Sequence, residues 1–344
     1  MPRVTITDVA EACGVSPMTA SRALRGGEHV KESTRLKVLA AAETLGYHRN
    51  ARLGRPHKGS RRVARGVDVI FSMKGHPPGM FYAELLNAIE RELARRGHYC
   101  VYRTATGEYE NFVSLCDTLR ESDSVGTLLV GFFDVEQLRS LLSIDGSAIL
   151  VDNPGDPSLA APYESIGFDD REAARTAVRH LCETGRKRIA LVKGFSDHYF
   201  SRAMEEGYID ALGAAGIAVD RSLVLEADFT AQGAYELISS FLKGRKMIDA
   251  VFTNDEMACG VLRALHEREV AVPDSVAVVG CDGLPIGQQT MPPLTTVKLD
   301  YVQLGRTAVD HLLDRKAGTA SPRRVRLLPE LVVRESTAVR GGRS

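Results

Sequence analysis

The stretch Val4–Tyr47, VTITDVAEACGVSPMTASRALRGGEHVKESTRLKVLAAAETLGY, decides the organisation of this chain. Its apolar periodicity predicts three short helices. Gly14 is a good stop for the first helix, Ser16 can cap the second, and the third extends over about Glu32–Leu45. The apolar side chains expected to pack between these helices are Val9, Ala10, Ala12, Val15, Ala20, Ala23, Leu24, Val38, Leu39, Ala42 and Leu45.

Two helices separated by Gly-Val-Ser form a helix-turn-helix pattern, in which the second helix enters the major groove of DNA. Arg22 can donate two hydrogen bonds to a guanine, and Met18 can pack on a thymine methyl group. A small helical bundle with a solvated arginine is the alternative interpretation. The candidate DNA-binding residues here and in the basic segment that follows are Thr5, Ser16, Pro17, Met18, Thr19, Ser21, Arg22, His29, Thr34, Asn50, Arg52 and Arg55.

The charge of the chain is divided unevenly. The 344 residues carry 44 Lys and Arg against 44 Asp and Glu, but residues 1–65 hold 13 basic residues against 5 acidic ones. The remaining residues therefore hold 31 basic and 39 acidic residues. A basic N-terminal region on an acidic body is expected of a protein that binds nucleic acid with one end, because phosphate neutralisation supplies much of the affinity.

Specific motifs in the N-terminal stretch carry a resemblance to a known family. They are TITDVA at 5–10, GVS at 14–16, TASRAL at 19–24, Val30, Thr34-Arg35 and LGY at 45–47. Together they resemble the headpiece of the LacI family, the lactose- and purine-repressor-like transcription factors. The resemblance implies a homodimer that binds double-stranded DNA at a pseudo-palindromic operator, since two-fold protein symmetry demands that arrangement in the DNA.

Residues 48–65, HRNARLGRPHKGSRRVAR, depart from the family pattern. In that family the segment carries Asn-x-x-Ala-Arg-x-Leu and forms a hinge helix in the minor groove. Asn50 fits, but the leucine position is Pro56, and Gly54 and Pro56 both oppose a helix. Three interpretations stay open: an extended segment with Arg55 in a narrow A·T minor groove, a solvated basic tether, or a short helix around Leu53.

From Val67 onward, apolar runs of strand length alternate with helical stretches, which indicates βαβ units and a parallel sheet. Two such runs with crossing segments predict two lobes with a ligand-binding cleft at the carboxyl ends of the strands. Motifs such as FYAEL at 81–85, IGFDD at 166–170, TND at 253–255, GCD at 280–282 and PPLTTV at 292–297 resemble the periplasmic-binding-protein-like sensor domain of the LacI family. The expected fold is thus a small all-α helix-turn-helix headpiece (1–47), a basic linker (48–65), and an α/β two-lobed effector-binding and dimerisation domain with parallel sheets (66–344).

Candidate effector-binding residues follow partly from strand ends and partly from this resemblance. Asp152, Asn254 and Asp282 fall at or just after predicted strands, and a carboxylate there can accept two hydroxyl donors. The resemblance places Phe81, Tyr82 and Phe229 as walls against a ligand ring. Helix capping for the polar residues and core packing for the aromatic residues are the alternatives.

One position departs from many sugar-binding members. They carry Arg three residues before a glycine, and that position before Gly207 is Met204. The bidentate hydrogen bonds that this arginine would donate to a ligand are therefore missing or come from another residue. The candidates, all near predicted strand ends, are Lys74, His76, Arg103, Lys193 and His198.

Other functional classes find little support in the residues. No dinucleotide-binding glycine motif, phosphate-binding loop, GxSxG or metal-ligand cluster is present, so an enzyme with catalytic residues, a cofactor or a metal is not expected. Asp169-Asp170 could be a carboxylate pair, but a helix cap is the simpler interpretation. The six cysteines have no paired spacing and fit buried apolar positions. No secretory signal or long apolar run is found, which favours a cytoplasmic protein over a periplasmic solute carrier.

These observations predict a sequence-specific DNA-binding transcriptional regulator. We expect a repressor whose operator affinity is controlled by a sugar, sugar acid or related metabolite. A purely architectural DNA-binding protein would not need the large two-lobed body. The C-terminal end carries no heptad repeat, so a dimer is expected rather than a coiled-coil tetramer.

Overall fold

The computed structural model describes residues 6–25, 31–45, 65–72, 79–159, 162–244, 247–318 and 321–338. The chain divides into two compact units, 1–63 and 64–344. Among the described residues, no helix is both long and apolar enough to cross a membrane.

The first unit contains three helices, α1 (Ile6–Cys13), α2 (Pro17–Arg25) and α3 (Glu32–Thr44). Its core is small and consists of Val9, Ala10, Ala20, Ala23, Val38 and Ala42. Three residues expected in this core lie outside it: Ala12 is exposed, Leu39 is 42% exposed and Leu45 is 38% exposed. A short helix buries a single stripe, and on α3 the i, i+4 pair Val38 and Ala42 already fills it.

The second unit alternates strands and helices for most of its length. Its strands are β1 (Gly66–Ser72), β2 (Tyr99–Ala105), β3 (Thr127–Val130), β4 (Ile149–Val151), β5 (Glu164–Phe168), β6 (Ile189–Lys193), β7 (Val224–Glu226), β8 (Ala250–Phe252), β9 (Ala277–Asp282), β10 (Thr295–Lys298), β11 (Arg324–Leu327) and β12 (Glu330–Val332). Its helices are α4 (Met80–Arg95), α5 (Tyr109–Arg120), α6 (Val135–Ile144), α7 (Asp170–Glu183), α8 (Tyr199–Ala214), α9 (Ala231–Lys243), α10 (Asp255–His266) and α11 (Tyr301–Lys316).

The strands form two six-stranded sheets, and each sheet is the centre of one lobe. The first lobe has the order β11-β5-β4-β3-β1-β2, with every pair parallel. The second lobe has the order β12-β10-β9-β8-β6-β7, in which β12 runs antiparallel to β10. Apolar clusters cover both faces of each sheet, as the predicted α/β two-lobed fold requires.

The chain crosses between the lobes three times. It passes from β5 to α7, returns from β10 to α11, and passes again from β11 to β12. Helix α11 packs into the core of the first lobe through Leu304, Ala308 and Leu312. The two lobes are therefore each built from separate parts of the sequence.

Five elements were not located from the sequence: β5, β10, α11, β11 and β12. Strand β5 shows most clearly why such an element escapes prediction, because its first residue is a charged side chain buried among apolar ones. Glu164 is fully buried there and pairs with His311 of α11 and with Arg315 at 3.8 Å. A strand whose first residue is an ion-paired glutamate does not show the apolar run that sequence reasoning relies on.

Candidate functional site

The exposed face of α2 is the first candidate site. Ser16 caps this helix, since the backbone N–H of Thr19 donates to Ser16 Oγ at 3.1 Å. Ala20 and Ala23 are buried, whereas Met18 is 63% exposed and Arg22 is exposed. The helix thus packs one face on α1 and α3 and presents Pro17, Met18 and Arg22 to solvent, which is the arrangement that a recognition helix requires.

The remaining predicted DNA-binding residues are placed only in part. Ser21 lies on α2, and Thr34 lies half-buried in the first turn of α3. Thr5, His29, Asn50, Arg52 and Arg55 lie outside the described residues, as does most of the linker. The three interpretations of that linker therefore stay predictions.

A cavity of about 170 Å³ lies between the two lobes and is the second candidate site. All six predicted effector-binding residues line it. The first lobe contributes Gly79, Phe81, Tyr82 and Asp152, and the second contributes Asp170, His198, Tyr199, Phe200, Asp228, Phe229, Thr230, Asn254, Glu256 and Asp282. The cavity lies at the carboxyl ends of the strands, since Asp152 follows β4 directly and Asp282 is the last residue of β9.

The backbone is strained at this cavity. Of the four described non-glycine residues with positive φ, three line it: Asp152 at 50°, Phe229 at 65° and Asp282 at 124°. Such conformations cost about 1–3 kcal/mol each and persist only where the surroundings enforce them. The fold therefore holds these three side chains in place at an energetic cost.

Asp152 links the two lobes. Its Oδ2 accepts a hydrogen bond of 2.6 Å from the hydroxyl of Tyr199, and its backbone oxygen accepts from the same hydroxyl. Tyr199 belongs to α8 of the second lobe, so this pair crosses the cavity. Burial raises the pKa of Asp152 to about 6, although the Tyr199 hydrogen bond and the charge of Arg326 both act to lower it.

Asp282 is almost completely buried, with 2% of its surface exposed. Its backbone oxygen accepts from the hydroxyl of Tyr301 at 3.0 Å. Its carboxylate forms no hydrogen bond or ion pair with any residue that the structure describes. Burial, followed by the charges of Asp255 and Asp170, raises the pKa of this carboxyl group well above its usual range.

Asn254 performs the capping function that was the alternative to ligand binding. Its Oδ1 accepts from the backbone N–H of Met257 at 2.9 Å and caps α10. This bond occupies the amide oxygen, and the amide nitrogen remains as a donor on a residue that lines the cavity.

The walls of the cavity are aromatic. Tyr82 packs edge-on against Phe71 at 4.8 Å and Phe81 at 5.0 Å between ring centroids. On the opposite side, Phe229 lies 5.1 Å from the ring of His198. The rings that line the cavity, here called the aromatic wall, are Phe81, Tyr82, Tyr199, Phe200 and Phe229.

The arginine position of the family pattern does not face the cavity. Met204 is fully buried in the core of the second lobe. Of the candidate replacements, Arg103 pairs with Asp68 at 2.6 Å and Lys193 pairs with Glu205 at 2.6 Å, and neither lines the cavity. His198 does line it, while Lys74 and His76 lie outside the described residues.

Several lining residues were missed by sequence reasoning. Asp169 is the cap of α7, accepting from the backbone N–H of Glu172 at 3.0 Å, as the cap interpretation predicted. Its neighbour Asp170 instead lines the cavity. The other missed residues lie at helix starts or in the loops before them, namely Tyr199, Phe200, Asp228, Thr230 and Glu256. Their position after strands of the second lobe was the available signal.

The cavity is rich in carboxylates. Those of Asp152, Asp170, Asp228, Glu256 and Asp282, here called the carboxylate set, all line it, and no lysine or arginine appears among the described lining residues. The described part of the chain contains no group of His, Cys, Asp and Glu arranged to hold a metal ion.

Comparison with known proteins finds matches in both units of the chain. Residues 5–50 match the family described as bacterial regulatory proteins, lacI family, and residues 178–337 match a periplasmic binding protein-like domain. The HTH-type transcriptional regulator MalR of Streptomyces coelicolor is 33% identical over 97% of this chain and 96% of its own length.

Solved structures agree with this relationship. The transcriptional regulator CelR in complex with cellobiose has a TM-score of 0.72 and 29% identity, covering 97% of this chain and 100% of its own. The lac repressor dimer bound to operator and an anti-inducer has a TM-score of 0.71 and 27% identity, covering 98% of this chain and 100% of its own.

Proposed function

The chain belongs to the LacI family of bacterial regulatory proteins and is a DNA-binding transcriptional regulator, and we propose that a small molecule in the interlobe cavity sets its affinity for operator DNA. One observation carries this proposal: residues from both lobes, including all six predicted from the sequence, converge on a single cavity. Ligands of two-lobed α/β proteins bind where strand ends of both lobes meet.

The contacts across the cavity provide a physical basis for the coupling. Tyr199 donates to Asp152, Tyr301 donates to the backbone of Asp282, and the backbone N–H of Met80 donates to Glu256 at 3.3 Å. A ligand that replaces or reinforces these bonds changes the free-energy difference between open and closed lobes. An allosteric coupling of this kind is typically worth about 1–3 kcal/mol.

Helix α2 is the element that we expect to recognise the operator DNA. Arg22 and Met18 would contact base edges, and Thr19, Ser21 and Thr34 would contact phosphates. The headpiece is assigned to residues 1–47 and the linker to residues 48–65. The lac repressor is a dimer on its operator, and we assign the same assembly to this chain. Paired heads then read a pseudo-palindrome. The site of action is the bacterial cytoplasm, where the DNA is, and the action is repression.

Fluorescence anisotropy of the full-length protein on the DNA upstream of its own gene tests the proposal. The titration is repeated over a range of salt concentrations, with and without a panel of sugars, amino sugars, sugar acids and purines. We expect tight binding that weakens steeply with salt and that at least one compound alters. Binding that no compound alters would contradict effector control, and absence of specific binding would contradict the recognition-helix assignment.

A further inference from the structure

Within the part of the chain that the structure describes, no basic side chain of the lining balances the carboxylates of the interlobe cavity. Five carboxylates line a space of about 170 Å³, and the described lining includes no lysine or arginine. Buried carboxylates are normally paired, because an ionised group out of water costs several kcal/mol unless a partner compensates it. Asp152 and Asp282, the buried members of the five, have no lysine or arginine hydrogen-bonded to them among the described residues.

The existing partners of the carboxylate set compensate only part of it. Asp152 accepts from Tyr199, Glu256 accepts from the Met80 backbone, and Asp228 accepts from the backbone and hydroxyl of Thr230 at 3.0 and 2.7 Å. These donors are neutral. Arg326 acts on Asp152 and Asp170 through its charge, but its hydrogen bonds go to Ser165 and Val325.

Asp282 is the strongest single indication of a ligand. It lines the cavity, it is 2% exposed, and its carboxylate has no hydrogen-bond or ion-pair partner among the described residues. Its backbone is held at a φ of 124°, which a non-glycine residue adopts only under constraint. The fold thus holds a buried, uncompensated acceptor in place at the cavity.

The other lining groups suit an organic cation better than an anionic ligand or a metal ion. The aromatic wall presents rings to the same space, and the negative faces of such rings attract ammonium groups. A metal ion is disfavoured because the described residues form no metal-ligating group. A sugar acid or phosphate would add negative charge beside five carboxylates.

The size of the space limits the ligand. A cavity of about 150 Å³ is large enough for benzene, so this one accommodates a ligand of about one six-membered ring. Hydroxyl groups on such a ring would donate to the carboxylate oxygens that remain, since each carboxylate accepts more than one donor.

Building on the proposed effector control, we propose that the effector is a protonated amine carried on a single hydroxylated ring, an aminated monosaccharide, with its ammonium group on Asp282. The amine supplies a positive charge that the described lining does not contain. Its hydroxyl groups use the remaining acceptors of the carboxylate set, and the aromatic wall encloses its apolar faces. Burial raises the pKa values of Asp152, Asp170 and Asp282, and neighbouring aspartates raise those of Asp170 and Asp282 further; a bound cation would lower all three.

Isothermal titration of the full-length protein with matched pairs of sugars tests the charge requirement. Glucosamine, galactosamine and mannosamine are compared with glucose, galactose and mannose, respectively. In each pair the amino group replaces one hydroxyl group of the parent sugar, and glucuronate serves as the anionic probe. We expect at least one amine to bind about tenfold or more tightly than its parent sugar, since a charge-assisted hydrogen bond is worth that much. Mg²⁺ alone serves as the metal probe. No binding by any amine, equal or tighter binding of the parent sugars, or preferential binding of glucuronate or Mg²⁺ would overturn the proposal.

The Asp282→Asn variant locates the charge within the cavity. It should reduce the ratio of amine to parent-sugar affinity at least about tenfold, while Asp274→Asn, an exposed aspartate of the second lobe, should leave that ratio unchanged. Because the ratio is measured on one protein sample, partial unfolding affects both sugars equally. An unchanged ratio in Asp282→Asn would refute the assignment.

Operator binding measured with the same compounds distinguishes failure of the amine proposal from failure of the proposed effector control. Operator binding that responds to a neutral sugar and not to its amine would retain effector control and overturn only the amine. Operator binding that responds to none of these compounds, in a protein that binds an amine in the calorimeter, would instead contradict effector control.

Discussion

Replacing Asp152 with Asn should stabilise the folded protein at neutral pH and have little effect near pH 4. Burial raises the pKa of this carboxyl group from an ordinary value of 3.8 to about 6. A group whose pKa is higher in the folded state binds more protons there, so it favours folding at low pH. That contribution is lost as the pH rises from about 4 through about 6.

The magnitude follows from the size of the shift. A tenfold change in proton affinity corresponds to about 1.4 kcal/mol, so the rise of the pKa of Asp152 from 3.8 to about 6 costs the folded protein about 3 kcal/mol once this group is ionised. Asn is nearly isosteric and its amide oxygen can still accept from Tyr199, so the interlobe hydrogen bond remains. The variant should therefore gain up to about 3 kcal/mol at about pH 7.5.

Urea unfolding followed by circular dichroism at about pH 4 and about pH 7.5 measures the difference, at one protein concentration because dimers are concentration-dependent. The surface variant Asp274→Asn is the matched control and should show the same small difference at both pH values. If Asp152→Asn were destabilising at about pH 7.5, or equally stabilising at both pH values, the argument that desolvation dominates this carboxylate would be wrong.

Three further substitutions examine the other parts of the mechanism. Arg22→Ala should weaken operator binding in anisotropy by about 1–3 kcal/mol and relax the sequence preference, and unchanged binding would contradict the recognition-helix assignment. Arg55→Ala should weaken binding to an operator with an A·T centre more than to one with a G·C centre, and equal affinities for wild type and variant on both would refute a minor-groove role. Gly194→Ala should reduce effector affinity and cost about 1–3 kcal/mol of stability, because a Cβ there would lie 2.2 Å from the ring of Phe229. Gly213→Ala in α8 is its control, since the added Cβ meets no atom within 4 Å apart from its chain neighbours and the backbone of its own helix. An equal effect of both variants would contradict the role of Phe229.

The residues that line the interlobe cavity favour ligand binding at the expense of the stability of the folded protein. The cavity contains strained backbone at Asp152, Phe229 and Asp282 and carboxylates whose burial disfavours ionisation. Each of these features lowers the stability of the ligand-free protein. A ligand that satisfies them is stabilising, which is the physical condition for a regulator that responds to that ligand.

The amino-acid sequence alone determined the local elements of this protein. Ser16 and Asn254 cap the predicted helices, α9 has the predicted bounds, and Asp152 and Asp282 lie at predicted strand ends. These features depend on residues a few positions apart, so periodicity and capping patterns are sufficient to find them.

Tertiary structure decided how those elements meet. It assigned β5 and α11 to one lobe through the buried pair of Glu164 and His311, which are 147 positions apart. It also placed the side chain of Met204 in the core and that of Asp170 in the cavity. Both residues lie on helices, and the sequence did not predict which way their side chains point. The physical reason is the same in each case: burial and charge balance depend on neighbours contributed by distant parts of the chain, and a local pattern contains no information about them.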